Sequence, residues 1–187
     1  MRRAVVAVVA MLVTVLGLTL MPAPARAYHE GPLLERTLYC FGASWALSEA
    51  IGMVRETIEL SADGGNISAG EHIGIHAAAV TVAEKNAVAI RSNLEKCLDA
   101  VLPLAEKNPA VNQVACSTLE ELDTVTKAID KMRTMLNEKR ATLRAHLSSK
   151  PSSFIDTTER THNSFVSEMA AKVTQIRAKV LQLRDRT

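Results

Sequence analysis

Five histidines occur in the chain, and three of them are placed so that they could share one metal ion. His76, His146 and His162 fall on the apolar sides of predicted helices, near the same end of the predicted fold. Three imidazoles with one open position would suit zinc or copper, with His72 or Glu71 as reserve ligands. The competing interpretation is that such positions are polar because the end of a helical bundle is half solvated. The spacing therefore predicts a transition-metal site at these three histidines, as an alternative role for the protein.

Three cysteines follow the apolar N-terminal segment: Cys40, Cys97 and Cys116. In an exported protein a pair of cysteines is expected to oxidise. Cys97 precedes Lys107 by ten residues and Cys116 follows it by nine, so two helices folded back at Lys107 would bring them level. We predict a Cys97–Cys116 disulfide, which by loop closure would stabilise the fold by about 3 kcal/mol. Three outcomes stay open for Cys40: competition for Cys97, a buried thiol, or a bridge to another chain.

Recognisable catalytic motifs are missing from the sequence. It has no Cys-x-x-Cys-His for covalent haem, no His-Glu-x-x-His for zinc and no Gly-x-Ser-x-Gly for a nucleophilic serine. Spacing alone assembles no nucleophile with a base and an orienting partner. We therefore expect a protein that is not an enzyme and holds no cofactor.

The N-terminal segment has the order of features that a secretion signal requires. Arg2 and Arg3 precede an apolar run over residues 4–20, and the small-residue triplet over 25–27 follows. This order predicts a signal peptide over residues 1–27 and cleavage before Tyr28, although a run of this length could also serve as a membrane anchor. No second apolar span and no hydrophobic C-terminal tail follows. We expect a mature chain that does not span a membrane and that is secreted, periplasmic or at the cell surface.

The charge balance excludes nucleic acid as a partner. Without Arg2, Arg3 and Arg26 the 22 basic residues become 19, against 20 acidic ones. A nucleic-acid binder would normally show a basic stripe, and this near-neutral chain has none. The mature residues 28–187 suffice for one ordinary domain.

Glycines and prolines are few and clustered, which leaves four long segments with helical apolar spacing. The first predicted helix runs from about Pro32 to about Ser61, and its apolar stripe passes from Leu34, Leu38, Phe41 and Trp45 to Leu47, Ile51, Val54 and Ile58. The second begins at a capping box that opens with Ser68, and the third opens at Asn108 and Pro109. The third continues to His146, and the fourth follows a turn at 148–153.

The positions that recur at three- and four-residue spacing predict the buried faces of helices two to four. In helix two these positions are His76, Val80, Ala83, Ala87, Ile90, Leu94, Cys97, Val101 and Leu104. In helix three they are Thr118, Leu122, Val125, Ile129, Met132, Leu136, Lys139, Leu143 and His146. In helix four they are His162, Val166, Met169, Val173, Ile176, Val180 and Leu183. Short connections between such helices predict an all-α, antiparallel up-down-up-down four-helix bundle; an elongated hairpin that forms a homodimer is the alternative.

A cleaved signal followed by long alanine-rich amphipathic helices, with cysteines at one end, resembles the helical-bundle surface proteins of trypanosomes. These include variant surface glycoproteins and haemoglobin-complex receptors. The resemblance is one of architecture, shares no motif and transfers no residue, and the missing anchor tail departs from that pattern. The sequence thus predicts a non-enzymatic exported protein that binds a protein or other surface ligand through its helix faces. A metal-binding bundle and a trypanosome-type cell-surface protein are the alternatives.

Overall fold

The computed structural model describes residues 32–63, 71–146, 148 and 151–187, which are helical almost throughout and contain no strand. Within these residues five α-helices follow one another: α1 Leu33–Asp63, α2 Glu71–Val101, α3 Pro109–Glu138, α4 Arg140–His146 and α5 Ser152–Arg186. A 3-10 turn, Leu102–Leu104, links α2 to the loop before α3. The predicted all-α class is confirmed. The proposed signal peptide and the Ser68 capping box lie outside the described residues. Among the helices described, none combines the length and apolarity needed to cross a membrane.

The start of α3 follows from the two residues that open it. The Asn108 side-chain oxygen accepts hydrogen bonds from the backbone N–H groups of Ala110 at 3.1 Å and Val111 at 3.3 Å. Pro109 occupies the first helical position, where its missing N–H costs nothing. This start was predicted correctly.

The end of α3 differs from the prediction of one helix reaching His146. Lys139 leaves helical geometry with φ −88° and ψ 2°, and its N–H donates to the Met135 carbonyl at 2.8 Å. The short α4 follows at once. No glycine or proline marks the break, so the sequence pattern gave no sign of it.

The buried side of α1 matches the predicted stripe from Leu47 to Ile58 but departs from it in the first turns of the helix. Seven buried residues at three- and four-residue spacing form what we call the inner seam: Thr37, Cys40, Ser44, Leu47, Ile51, Val54 and Ile58. Leu38 and Trp45 of the predicted stripe are instead 49% and 52% exposed. Polar residues can occupy the inner seam because their hydroxyls donate to helix carbonyls, Thr37 to Leu33 at 2.8 Å and Ser44 to Phe41 at 2.6 Å. A search for apolar residues alone passes over such positions.

One continuous hydrophobic core joins the four long helices. Helix α1 packs against α2 and α3, and α5 packs against α3 and α2. Between α3 and α5, Asp123 pairs with Arg177, and the Asn112 side chain donates to the Arg184 carbonyl at 2.9 Å. In the part of the chain described, α2 and α3 make no extended contact with each other, although they are consecutive long helices.

Candidate functional site

The disulfide of this fold joins Cys40 of α1 to Cys97 of α2, with their Cα atoms 5.6 Å apart. The predicted Cys97–Cys116 pairing is therefore wrong. That prediction assumed that the second and third long helices are neighbours. In the structure, the helix that packs against α2 at Cys97 is α1. Cys116 is a free thiol on the exposed side of α3. The Cys40–Cys97 disulfide is buried and links α1 to α2. Among the described residues, no second pair of thiols lies beside it.

Of the three histidines predicted to bind metal, His162 has a described side chain, and it contacts a carboxylate. Its Nδ1 lies 2.7 Å from the Oε1 of Glu84, and the two side chains are only 12% and 7% exposed. The side chains of His76 and His146 lie outside the described residues, so the three-histidine site stays a prediction. His76 is eight residues before Glu84 on α2, which is about 12 Å along a helix. A metal shared by His76 and His162 would therefore require the His162 imidazole to leave Glu84.

The Glu84–His162 contact is the first rung of a polar ladder between α2 and α5. Three further ion pairs continue it: Arg91–Glu168 at 3.1 Å, Glu95–Lys172 at 3.8 Å and Asp99–Lys179 at 2.7 Å. The residue numbers rise together along both helices, so α2 and α5 run in the same direction. Each rung joins oppositely charged or hydrogen-bonding groups, so the ladder fixes the register of the two helices.

A second charged cluster holds α4 against the start of α5. The Glu159 carboxylate receives Arg144 at 2.5 Å and Arg140 at 3.2 Å, and Arg144 also contacts Asp156 at 2.9 Å. The hydrogen bond from Arg144, with that from Arg140, lowers the pKa of Glu159 below its ordinary value. Both arginines are largely exposed, and their ion pairs hold the short α4 against the start of α5.

The side of α1 that faces away from the core exposes a leucine and a tryptophan. Seven residues at three- and four-residue spacing form what we call the outer seam: Glu35, Leu38, Gly42, Trp45, Glu49, Gly52 and Glu56. This spacing keeps them on one side of the helix, opposite the inner seam. All are exposed except Gly52, which is half-buried.

The two glycines of the outer seam have no role inside the described fold. A Cβ atom added at Gly42 or at Gly52 would meet no heavy atom within 4 Å. Neither glycine has a positive φ, so the backbone does not require them. A glycine in the middle of a helix destabilises it by roughly 0.5–1 kcal/mol relative to alanine. The outer seam therefore combines an exposed tryptophan and leucine with two bare stretches of backbone.

Sequence reasoning selected Leu38 and Trp45 but assigned them to the core. The signal that could have found the outer seam is the pair of glycines within an otherwise helix-forming segment, spaced to share a side with Trp45.

No protein-family model, curated protein or solved structure matches this chain. Its function must therefore be inferred from its own surface.

Proposed function

We propose that the protein is an exported, non-enzymatic helical bundle that binds a helix of another protein through the outer seam of α1. The observation that carries this proposal is the exposure of Trp45 and Leu38 on the same side as two glycines that the described fold does not use. Export is supported by the order of charge, apolar run and small residues at the N-terminus. A disulfide within the fold is compatible with that compartment.

The architecture we propose is the antiparallel up-down-up-down arrangement of α1, α2, α3 and α5. The disulfide between the early part of α1 and the late part of α2 supports opposite directions for that pair. The contacts of Asn108 with Thr187 and of Asp123 with Arg177 support the same for α3 and α5. Because α2 and α3 make so little contact in the described part of the chain, we place them diagonally across the bundle, which leaves α1 between them with its outer seam largely exposed.

Energetics favour a partner for the outer seam. Full burial of a large apolar side chain contributes roughly 1.5–3 kcal/mol, and about half of both Trp45 and Leu38 remains in water. A second protein that covered these two side chains would bury the rest of their apolar surface, and the complex would gain much of the remaining free energy of burial. Tryptophan is also enriched among the residues that dominate binding energy at protein interfaces.

The glycines indicate what kind of surface approaches. A residue without a Cβ lets another backbone come close, and helix pairs in membranes use small residues for that purpose. Gly42 lies between Leu38 and Trp45 along the outer seam. A partner helix could therefore lie over Gly42 while Leu38 and Trp45 contact its two sides, and the cost of the glycines within α1 would be offset in the complex.

An aromatic photo-crosslinking residue placed at position 45, in the native host, tests the proposal. The matched control is position 175 on α5, where Gln175 is exposed as well. We expect a discrete crosslinked product from position 45 and none from position 175. A second variant, Gly42→Leu, should abolish the product while leaving the fold at least as stable, because leucine is a better helix former than glycine and the space around position 42 is open.

Two results would contradict the proposal. One is an equal product from positions 45 and 175, which would indicate random encounter. The other is a product from position 45 that survives Gly42→Leu in a folded protein, which would show that no close approach occurs at Gly42.

A further inference from the structure

We infer that the partner helix is basic: it carries lysine or arginine on both sides of an apolar centre, and it is not a second copy of this chain. This inference rests on the proposed function and specifies the chemistry of the partner at the same outer seam.

The charges on the outer seam are all of one sign. Glu35 precedes the apolar centre, and Glu49 and Glu56 follow it. All three carboxylates are exposed, and no ion pair or hydrogen bond among the described residues includes their side chains. The outer seam itself holds no lysine or arginine. A helix that covered Leu38 and Trp45 would thus pass over carboxylates at both ends.

The spacing defines what the partner must present. Leu38 and Trp45 are seven residues apart, or about 10 Å along the helix axis. Glu35 and Glu49 are fourteen residues apart, or about 21 Å. The partner should therefore have an apolar centre about three turns long, with a cation beyond each end.

The same charges exclude a second copy as the occupant. In an antiparallel pair centred on Gly42, Glu35 of one copy faces Glu49 of the other, because each lies seven residues from Gly42. In a parallel pair every glutamate faces its own equivalent. Both arrangements place like charges opposite each other along the seam, which is destabilising for paired helices. A basic partner converts the same contacts into attraction.

Tryptophan fluorescence reports on binding at the outer seam, because Trp45 is the single tryptophan of the chain. Three helical peptides of about 22 residues, without tryptophan, share an alanine and leucine centre and differ only in flanks of lysine, glutamine or glutamate. Each is titrated into the exported protein at low salt while the emission of Trp45 is followed. We expect affinities in the order lysine, glutamine, glutamate, with roughly ten- to a hundredfold between the first two, since each of three exposed ion pairs contributes about two- to fivefold. At 1 M salt the difference should largely disappear.

Charge reversal provides the matched control. The variant Glu35→Lys/Glu49→Lys/Glu56→Lys should bind the glutamate-flanked peptide best. The variant Glu120→Lys, at an exposed position on α3, should keep the original order.

The outcomes separate the two proposals. Equal binding of all three peptides would overturn the basic-partner inference and leave the proposed helix-binding function standing. Binding of none of them would overturn both. Sedimentation that showed a dimer of the exported protein, abolished by Trp45→Ala, would also overturn the inference, because the occupant would then be a second copy.

Discussion

Removal of the Cys40–Cys97 disulfide should cost the protein much of its stability. The two cysteines are 57 residues apart in sequence, and closing a loop of that size stabilises a fold by about 4 kcal/mol in the chain-entropy description. For a domain of this length each kcal/mol corresponds to roughly 2–4 °C in Tm. We therefore expect the variant Cys40→Ala/Cys97→Ala to melt about 8–16 °C below the parent.

The assay should isolate this one crosslink. Both proteins are made in a Cys116→Ser background, so that no thiol is left to exchange, and unfolding in urea is followed by circular dichroism at 222 nm. Cys116 is exposed, and Cys116→Ser alone should change the free energy of unfolding by less than about 0.5 kcal/mol. The uncrosslinked variant should also show a larger m-value, because its unfolded chain exposes more surface.

A loss of less than about 1 kcal/mol in the double variant would refute this expectation, since loop closure would then contribute little to this fold. Recovery of Cys97 joined to Cys116, by non-reducing peptide mapping of the native protein, would refute it equally. That result would place α2 beside α3 and contradict the helix order on which the outer seam depends.

Three further outcomes are expected. His162→Ala should lower the free energy of unfolding by about 2–3 kcal/mol in urea titration, because Glu84 would stay buried without its partner. Glu159→Gln should reduce the loss of Tm between pH 7 and pH 3: Arg144 and Arg140 lower the folded pKa of Glu159, so the native carboxylate stabilises the fold above its unfolded pKa and this stabilisation is lost as pH falls through the folded pKa. Intact-mass analysis of the exported protein should give a chain that begins at Tyr28, and a membrane-bound product that retains residues 1–27 would contradict the proposed signal peptide.

The helical class and the buried faces of α3 and α5 could be predicted because their apolar spacing is regular. In α3 every seam position from Thr118 to Leu136 is buried, and in α5 the same holds from Val166 to Leu183. In such helices the hydrophobic pattern and the buried side coincide, since few other apolar residues compete.

In α1 the predicted positions from Leu47 to Ile58 are buried, but the first turns were assigned to the wrong side, because apolar residues lie on two opposite sides there. Leu38 and Trp45 look like core residues by type, whereas Thr37 and Ser44 look like surface residues, and the structure reverses both assignments. Local hydrogen bonds to helix carbonyls let the hydroxyls be buried. A prediction from hydrophobicity alone does not include the free energy of these hydrogen bonds.

The order of the helices around the core is the second feature that cannot be predicted from the apolar pattern of each helix taken separately. A seam specifies which side of a helix is buried, but not which other helix lies against it. The Cys97–Cys116 prediction assumed that consecutive helices are neighbours. The ladder from Glu84–His162 to Asp99–Lys179 pairs α2 with α5 instead, through contacts separated by about 80 residues that no local pattern records.

The disulfide and the outer seam occupy opposite sides of the same stretch of α1. Cys40 lies between Leu38 and Gly42 in sequence and faces inward, where it is 1% exposed, while its two neighbours on the outer seam face solvent. The first turns of a helix are normally the part that opens most readily, yet here they are linked covalently to the end of α2. A surface held in place before it meets its partner loses less conformational freedom on binding. The position of the crosslink, directly behind Leu38 and Gly42, would therefore lower the entropic cost of binding at the proposed docking surface.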